Sequence, residues 1–279
     1  MSSRPPTVID DQPSARLRSR LAREADSNRR MKIFRNFIGG AWVEPASGEH
    51  FENVNPADVT DVIGRFPLSD ATDVDQAVAS AKRGFDVWRS TPAPARGDVL
   101  RRVGDLLASR KEDIADLMTR EMGKPLQETR GDVQEGIDTA YYAATEGRRL
   151  FGHTVPSELR AKWAMSFRRP IGVCGLVTPF NFPLAIPTWK MFPALLCGNS
   201  VILKPAEDVP HTATVLVEIL LEAGLPPVLW AWRCCRHCAD RARAPGQWLR
   251  ICRWNTYHIC LPSRQATGSA PIHANWIAR

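Results

Sequence analysis

Two short apolar runs constrain this chain more than anything else in it: Gly172-Val173-Cys174-Gly175-Leu176-Val177 and Ser200-Val201-Ile202-Leu203-Lys204. Each is followed by a helical pattern. Pro187 to Leu196 follows the first and stops at Gly198. Thr212 to Ala223 follows the second, with Val215, Ile219 and Leu220 on one side, and ends at Gly224 and Pro226-Pro227. A strand that is apolar on both faces has to be covered on both, and alternation with helices implies a parallel sheet. The fold class is therefore α/β, doubly wound. Such sheets bind ligands beyond the carboxyl ends of their strands. Here those exits are Thr178-Pro179-Phe180-Asn181 and Lys204-Pro205-Ala206-Glu207, so the polar groups at each exit are candidate site residues by position alone.

The elements before this unit are also legible. Phe37 to Val43 reads as two β-prone runs around a Gly39-Gly40 turn. Asp73 to Trp88 has Val74, Ala77, Val78, Ala81 and Phe85 at helical spacing, with Asp73 as its expected cap. Arg96 to Met122 reads as one long helix ended near Pro125. Asp132 to Phe151 reads as another, with Ile137, Tyr141 and Ala144 inward. Ala161 to Arg169 alternates weakly and is expected as a strand in a two-stranded arm. Trp189, Cys174 and Cys197 are expected in the core.

After Pro227 the vocabulary changes. Residues 228–279 hold five of the nine Trp and five of the seven Cys, but no Lys, Glu, Phe or Met. Eight Arg against the single acid Asp240 account for the whole chain's formal charge of +7. The basic balance is thus a property of the tail. At the other end, residues 1–30 are rich in Arg, Ser, Asp and Pro and are expected to lack a packed core. Asp10, Asp11, Glu24 and Asp26 argue against a transit peptide, and translation from Met31 would remove the segment altogether. No run of about 18 apolar residues predicts a membrane span. Outside the tail only Cys174 and Cys197 occur, a usage that points to a reducing cytoplasm.

Thr178-Pro179-Phe180-Asn181-Phe182-Pro183, Trp189-Lys190, Gly198-Asn199 and Lys204-Pro205-Ala206-Glu207 resemble, in order and spacing, the aldehyde dehydrogenase superfamily. Glu121-Met122-Gly123-Lys124-Pro125 and Glu222-Ala223-Gly224-Leu225-Pro226-Pro227 fit the same pattern. The resemblance runs from about Phe34 to Pro227. It implies a Rossmann-like cofactor domain and oxidation of an aldehyde to an acid with NAD or NADP, through a thiohemiacetal on a Cys nucleophile. It implies that Asn181 donates to the oxyanion, that Thr178, Pro179 and Phe180 line the cofactor cleft, and that Lys204 and Glu207 hold the adenosine ribose. It also implies oligomer contacts through an arm near 154–169, joining residues 161–169 to a second copy or a paralogue. Which aldehyde is oxidised is not written in these residues.

The family's third strand, Gly-rich turn and catalytic domain, with its Cys and Glu, are not recognisable after Pro227. The doubly wound domain is therefore expected to be incomplete, with the catalytic domain absent, two parallel strands, half a cofactor site and no turnover. Three accounts of the tail stand side by side. Cys234, Cys235, His237, Cys238, Cys252, His258 and Cys260 loosely resemble zinc ligands. The Arg and Trp content resembles a single-strand nucleic-acid surface. The third account is a shifted reading frame, and it is the one adopted here, with neither a metal nor a nucleic-acid partner. Moved by one base, Trp codons become Gly and Cys codons become Val or Ala. Trp230-Ala231-Trp232-Arg233-Cys234-Cys235 then reads Gly-x-Gly-x followed by two Val or Ala, the Gly-rich turn the family expects there.

Overall fold

The computed structural model describes residues 31–227, together with the backbone of two further strands, Trp230–Trp232 and Tyr257–Cys260. The leader and the tail's zinc-like and nucleic-acid-like residues otherwise lie outside the described residues. Ten strands and six helices are described. In chain order they are β1 (Asn36–Ile38), β2 (Ala41–Val43), β3 (His50–Asn55), β4 (Asp58–Pro67), α1 (Ala71–Trp88), α2 (Ala93–Ser109), α3 (Lys111–Met122) and α4 (Leu126–Glu146). They continue with β5 (Thr154–Pro156), β6 (Trp163–Met165), β7 (Val173–Val177), α5 (Ala185–Leu196), β8 (Ser200–Lys204), α6 (Pro210–Glu222), β9 (Trp230–Trp232) and β10 (Tyr257–Cys260).

The main sheet has the order β10-β7-β8-β9-β1-β2. Strands β10, β7, β8 and β9 are parallel, and the β1–β2 hairpin closes one edge antiparallel to β9. This corrects the expectation of only two parallel strands. Residues past Pro227 supply a third, β9, with Leu203 opposite Trp232, and a fourth, β10, with Val177 opposite Cys260. Backbone ladders form between any extended residues, so the unusual composition of the tail does not prevent the pairing.

Alternation in the two central strands explains why both faces are covered. Cys174 and Leu176 of β7, with Val201 and Leu203 of β8, face one core shared with Met191, Phe192, Leu216 and Leu220 of α5 and α6. Val173 and Ile202 face the other way, onto Ala77 and Ala81 of α1 and Ile38 of β1. Behind α5 and α6 lies a second helical layer, α2 to α4. There Gly97 lets α2 approach α4 closely: a Cβ on Gly97 would sit 2.5 Å from the Ala144 carbonyl.

Several local expectations are corrected. The cap of α1 is Asp70, which accepts from Thr72 N and Asp73 N, while Asp73 closes a capping box from the third position. The expected single helix from Arg96 to Met122 is two helices broken at Arg110, whose φ of −111° and ψ of 16° leave the helical region. Helix α4 starts directly after Pro125, where the fixed proline φ suits a helix start, and ends at Glu146. Tyr141 does not point inward. Its ring lies against Gly104, and its hydroxyl donates to Asp105 at 2.9 Å. Strands β5 and β6 pair antiparallel as an arm whose Phe151, Trp163, Met165 and Phe167 are all exposed. No helix of the described residues is long and apolar enough to cross a membrane.

Candidate functional site

The chain runs β7-β8-β9 toward one side of the sheet, and β10, which follows β9 in sequence, lies on the other side of β7. A crevice at the carboxyl ends of the strands is expected where the order reverses, beside β7. The Thr178–Asn181 segment leaves β7 at that point, and Lys204 ends the neighbouring strand. The two exits are joined: Thr178 N donates to the Lys204 carbonyl at 3.1 Å. Lys190 reaches back from α5 and donates to the Val177 carbonyl at 3.4 Å.

At the β8 exit Lys204 is buried and lies 3.5 Å from a carboxylate oxygen of Glu207. At the β7 exit Thr178 is buried, and its hydroxyl has no protein partner. Pro179 is half-buried, and Phe180 and Asn181 are exposed. The Asn181 carbonyl accepts from Lys124 Nζ at 3.1 Å. The same ammonium stands 3.8 Å over the Phe182 ring, which in turn stacks on Trp189 at 6.3 Å. Trp189 is thus partly exposed beside the exit and not in the core as its apolar neighbours had implied. The structure brings Thr178, Lys204 and Glu207 together and sets Asn181 at the outer end of the same segment.

Four supporting residues had no role in the sequence reading. Asn199 accepts from Ile171 N (2.7 Å) and Gly172 N (3.1 Å) and donates to the Ala194 carbonyl, which fixes where β7 begins. Arg96 donates to the Leu196 carbonyl at 2.7 Å, beside Gly198, whose φ of +90° ends α5. Asp132 of α4 accepts Ala185 N at 2.7 Å. Burial pushes its pKa up to about 6, against the lowering effects of the Ala185 N–H and Lys124. Glu121 of α3 accepts Thr212 N at 2.8 Å and the Thr212 hydroxyl at 2.6 Å, and also accepts His211 N. Burial outweighs those donors and pushes Glu121 up to about 7. Burial and the nearby Lys32 and Arg120 push His211 down to about 4. Glu121 stood in a quoted motif, but nothing local showed its partner: Thr212 lies 91 residues away.

The cysteines divide. Cys174 is buried in β7, and burial pushes its thiol up to about 11. Cys197 is exposed, contrary to expectation, at the C-terminal end of α5. Cys197 thus precedes the N-terminal end of β8, at the opposite end of the parallel strands from Asn181, which follows β7.

The model described as "Aldehyde dehydrogenase family" matches residues 42–231. An alpha-ketoglutaric semialdehyde dehydrogenase of Bacillus subtilis is 42% identical over 191 residues, covering 68% of this chain and 39% of that protein. A malonate-semialdehyde dehydrogenase of Geobacillus kaustophilus is 40% identical over 196 residues, covering 70% of this chain and 40% of the relative. The crystal structure of an NAD-dependent aldehyde dehydrogenase from Sinorhizobium meliloti superposes with a TM-score of 0.71 at 32% identity, covering 75% of this chain and 42% of that one. The chain therefore spans about two-fifths of the length of the curated relatives it matches.

Proposed function

This chain belongs to the aldehyde dehydrogenase family, and we propose that residues 31–227 form the adenosine side of an NAD(P) site together with one oxyanion donor for aldehyde oxidation. The observation that carries this reading is the joined pair of strand exits, with a buried Lys204 beside Glu207 and Thr178 tied to the Lys204 carbonyl. An ammonium that donates and a carboxylate that accepts suit the two hydroxyls of a ribose. The buried Thr178 hydroxyl, without a protein partner, offers one more polar atom to the cofactor at the same place. Pro179 and Phe180 then line the cleft. Asn181 presents a side-chain amide where charge develops on the aldehyde oxygen. When bound, the nicotinamide group would accept the electron pair and hydrogen the aldehyde gives up. The relatives' names mention semialdehydes that carry a carboxylate, and that is the substrate class we propose.

We also infer that this chain does not turn over an aldehyde by itself. Among the described side chains neither cysteine suits the nucleophile's task. Cys174 is buried with its thiol held near 11, which suppresses the thiolate. Cys197 stands at the opposite end of the strands from Asn181. We attribute residues 228–279 to a shifted reading frame, because the composition changes after Pro227 and the family match ends a few residues later, at 231.

Titration of the purified full chain with NAD+ and with NADP+ tests the cofactor half of this reading. Saturable binding is expected, weakened roughly tenfold by Lys204→Ala through loss of a charge-assisted hydrogen bond. Absence of saturation would sink that half. Production of reduced cofactor from malonate semialdehyde by the same preparation would sink the inference of inactivity.

A further inference from the structure

Two helices begin at the two exits, and neither caps itself. Helix α5 follows Leu184 and α6 follows Val209, and neither N-cap side chain accepts a hydrogen bond. The first N–H groups of a helix need partners from elsewhere. Both helices find them in the same place, outside the sheet. Asp132 accepts Ala185 N at the start of α5. Glu121 takes His211 N, Thr212 N and the Thr212 hydroxyl at the start of α6. Both carboxylates are almost wholly buried, at 1% exposure each. They stand on one helical hairpin, because only the Gly123–Pro125 connection separates α3 from α4. Lys124, in that connection, donates to the Asn181 carbonyl.

Burying a carboxyl group is costly unless it is well hydrogen-bonded. Apolar residues would fill both places more favourably if packing were their only task. Each carboxyl group instead meets the positive end of a helix that starts at a strand exit.

We propose that Asp132 and Glu121 are positioning residues that hold the two strand exits, and with them Asn181 and Glu207, in fixed relation from the α3–α4 hairpin. The proposal rests on the reading of those exits as half of a dinucleotide site. The two clamps differ in strength. Glu121 uses both oxygens against three donors, and Asp132 holds Ala185 N through Oδ1 while Oδ2 has no protein partner. Removing Glu121 therefore loosens its exit more than removing Asp132 loosens the other.

Hydrogen exchange by mass spectrometry on the full chain, with NAD+ titration of the same samples, tests this. Asp132→Ala is expected to speed exchange over residues 178–186 roughly tenfold, the loss of one hydrogen bond to a charged acceptor. Asp132→Asn keeps an acceptor oxygen and is expected to restore most of the protection. Glu121→Ala is expected to speed exchange around His211 and Thr212 by more than tenfold. All three should leave β3, β4 and the β5–β6 arm unchanged. Both Ala variants are expected to bind NAD+ more weakly. Unchanged exchange at the exits would overturn the proposal, as would uniform acceleration across the core, which marks general support of the fold. Looser exits with unaltered NAD+ affinity would overturn it too. Local loosening in a chain whose wild type binds no NAD+ would leave the positioning role standing and defeat the cofactor reading.

Discussion

Glu121 makes stability depend on pH in a direction unusual for a carboxylate. Its pKa rises from 4.5 to about 7 on folding. Below about pH 4.5 the group is protonated in the folded and unfolded chains alike. Between 4.5 and 7 the unfolded chain gives up its proton while the folded chain keeps it. The folded state then binds more protons, and stability falls as pH rises through that window. A shift of about 2.5 units at about 1.4 kcal/mol each is a loss on the order of 3 kcal/mol. Two other buried groups act in the same range. Asp132, raised to about 6, contributes a loss of the same sign, and His211, lowered to about 4, contributes a gain as pH rises from 4 to 6.5. The wild-type curve alone therefore does not isolate Glu121. The difference between wild type and Glu121→Gln does, because Asp132 and His211 are common to both. Gln does not titrate, and its amide opposes the N–H donors at the start of α6, which lowers the variant's stability by a pH-independent offset. Urea unfolding followed by circular dichroism at pH 4.5 and pH 7.5 would measure it. The advantage of wild type over Glu121→Gln is expected to shrink by on the order of 3 kcal/mol between the two pH values. A constant advantage, or one that grows with pH, would refute the assignment of a burial-raised pKa to Glu121.

Two other outcomes are expected. The exposed Trp163 and Phe167 of the β5–β6 arm are proposed to meet a second copy or a paralogue. Sedimentation velocity should show association that Trp163→Ser with Phe167→Ser abolishes; equal sedimentation of both proteins would remove the arm from the interface. The nucleotide sequence downstream of codon 227 should contain, one base out of register, an open frame that continues the family, and an uninterrupted gene with no such frame would exclude the shift.

Position in the sheet was the legible part. Once Val173–Val177 and Ser200–Lys204 are read as strands, their exits follow, and with them Thr178, Asn181, Lys204 and Glu207. The capping acids were not legible, because they act across 53 and 91 residues of sequence. Helical period gave α1 and α2 but missed the break at Arg110, which contains neither Gly nor Pro. The acidic Glu112 and Asp113 just beyond it were the available signal for a new first turn. The β3–β4 hairpin went unread because Pro56 falls in its turn and bulges between Asn53 and Asn55 disturb the alternation. Trp189 was misplaced because a large aromatic in an apolar helix reads as core, whereas its partner is the Phe182 ring at the exit.

The sheet register would connect the proposed frame shift with the proposed cofactor site. Strand β9 places residue 232 opposite Leu203, one residue before the Lys204 exit. Out of frame, the tryptophan codon at that position reads as glycine, and a glycine at a strand exit is what allows a backbone to approach a phosphate closely. The proposed frame shift would therefore change the residue paired beside the Lys204 exit as well as the sequence that follows. Correcting the frame at codons 230–232 alone would be expected to tighten NAD+ binding without supplying a nucleophile. On the proposed reading, weakened affinity and absent turnover would have separate origins, one at β9 and the other beyond it.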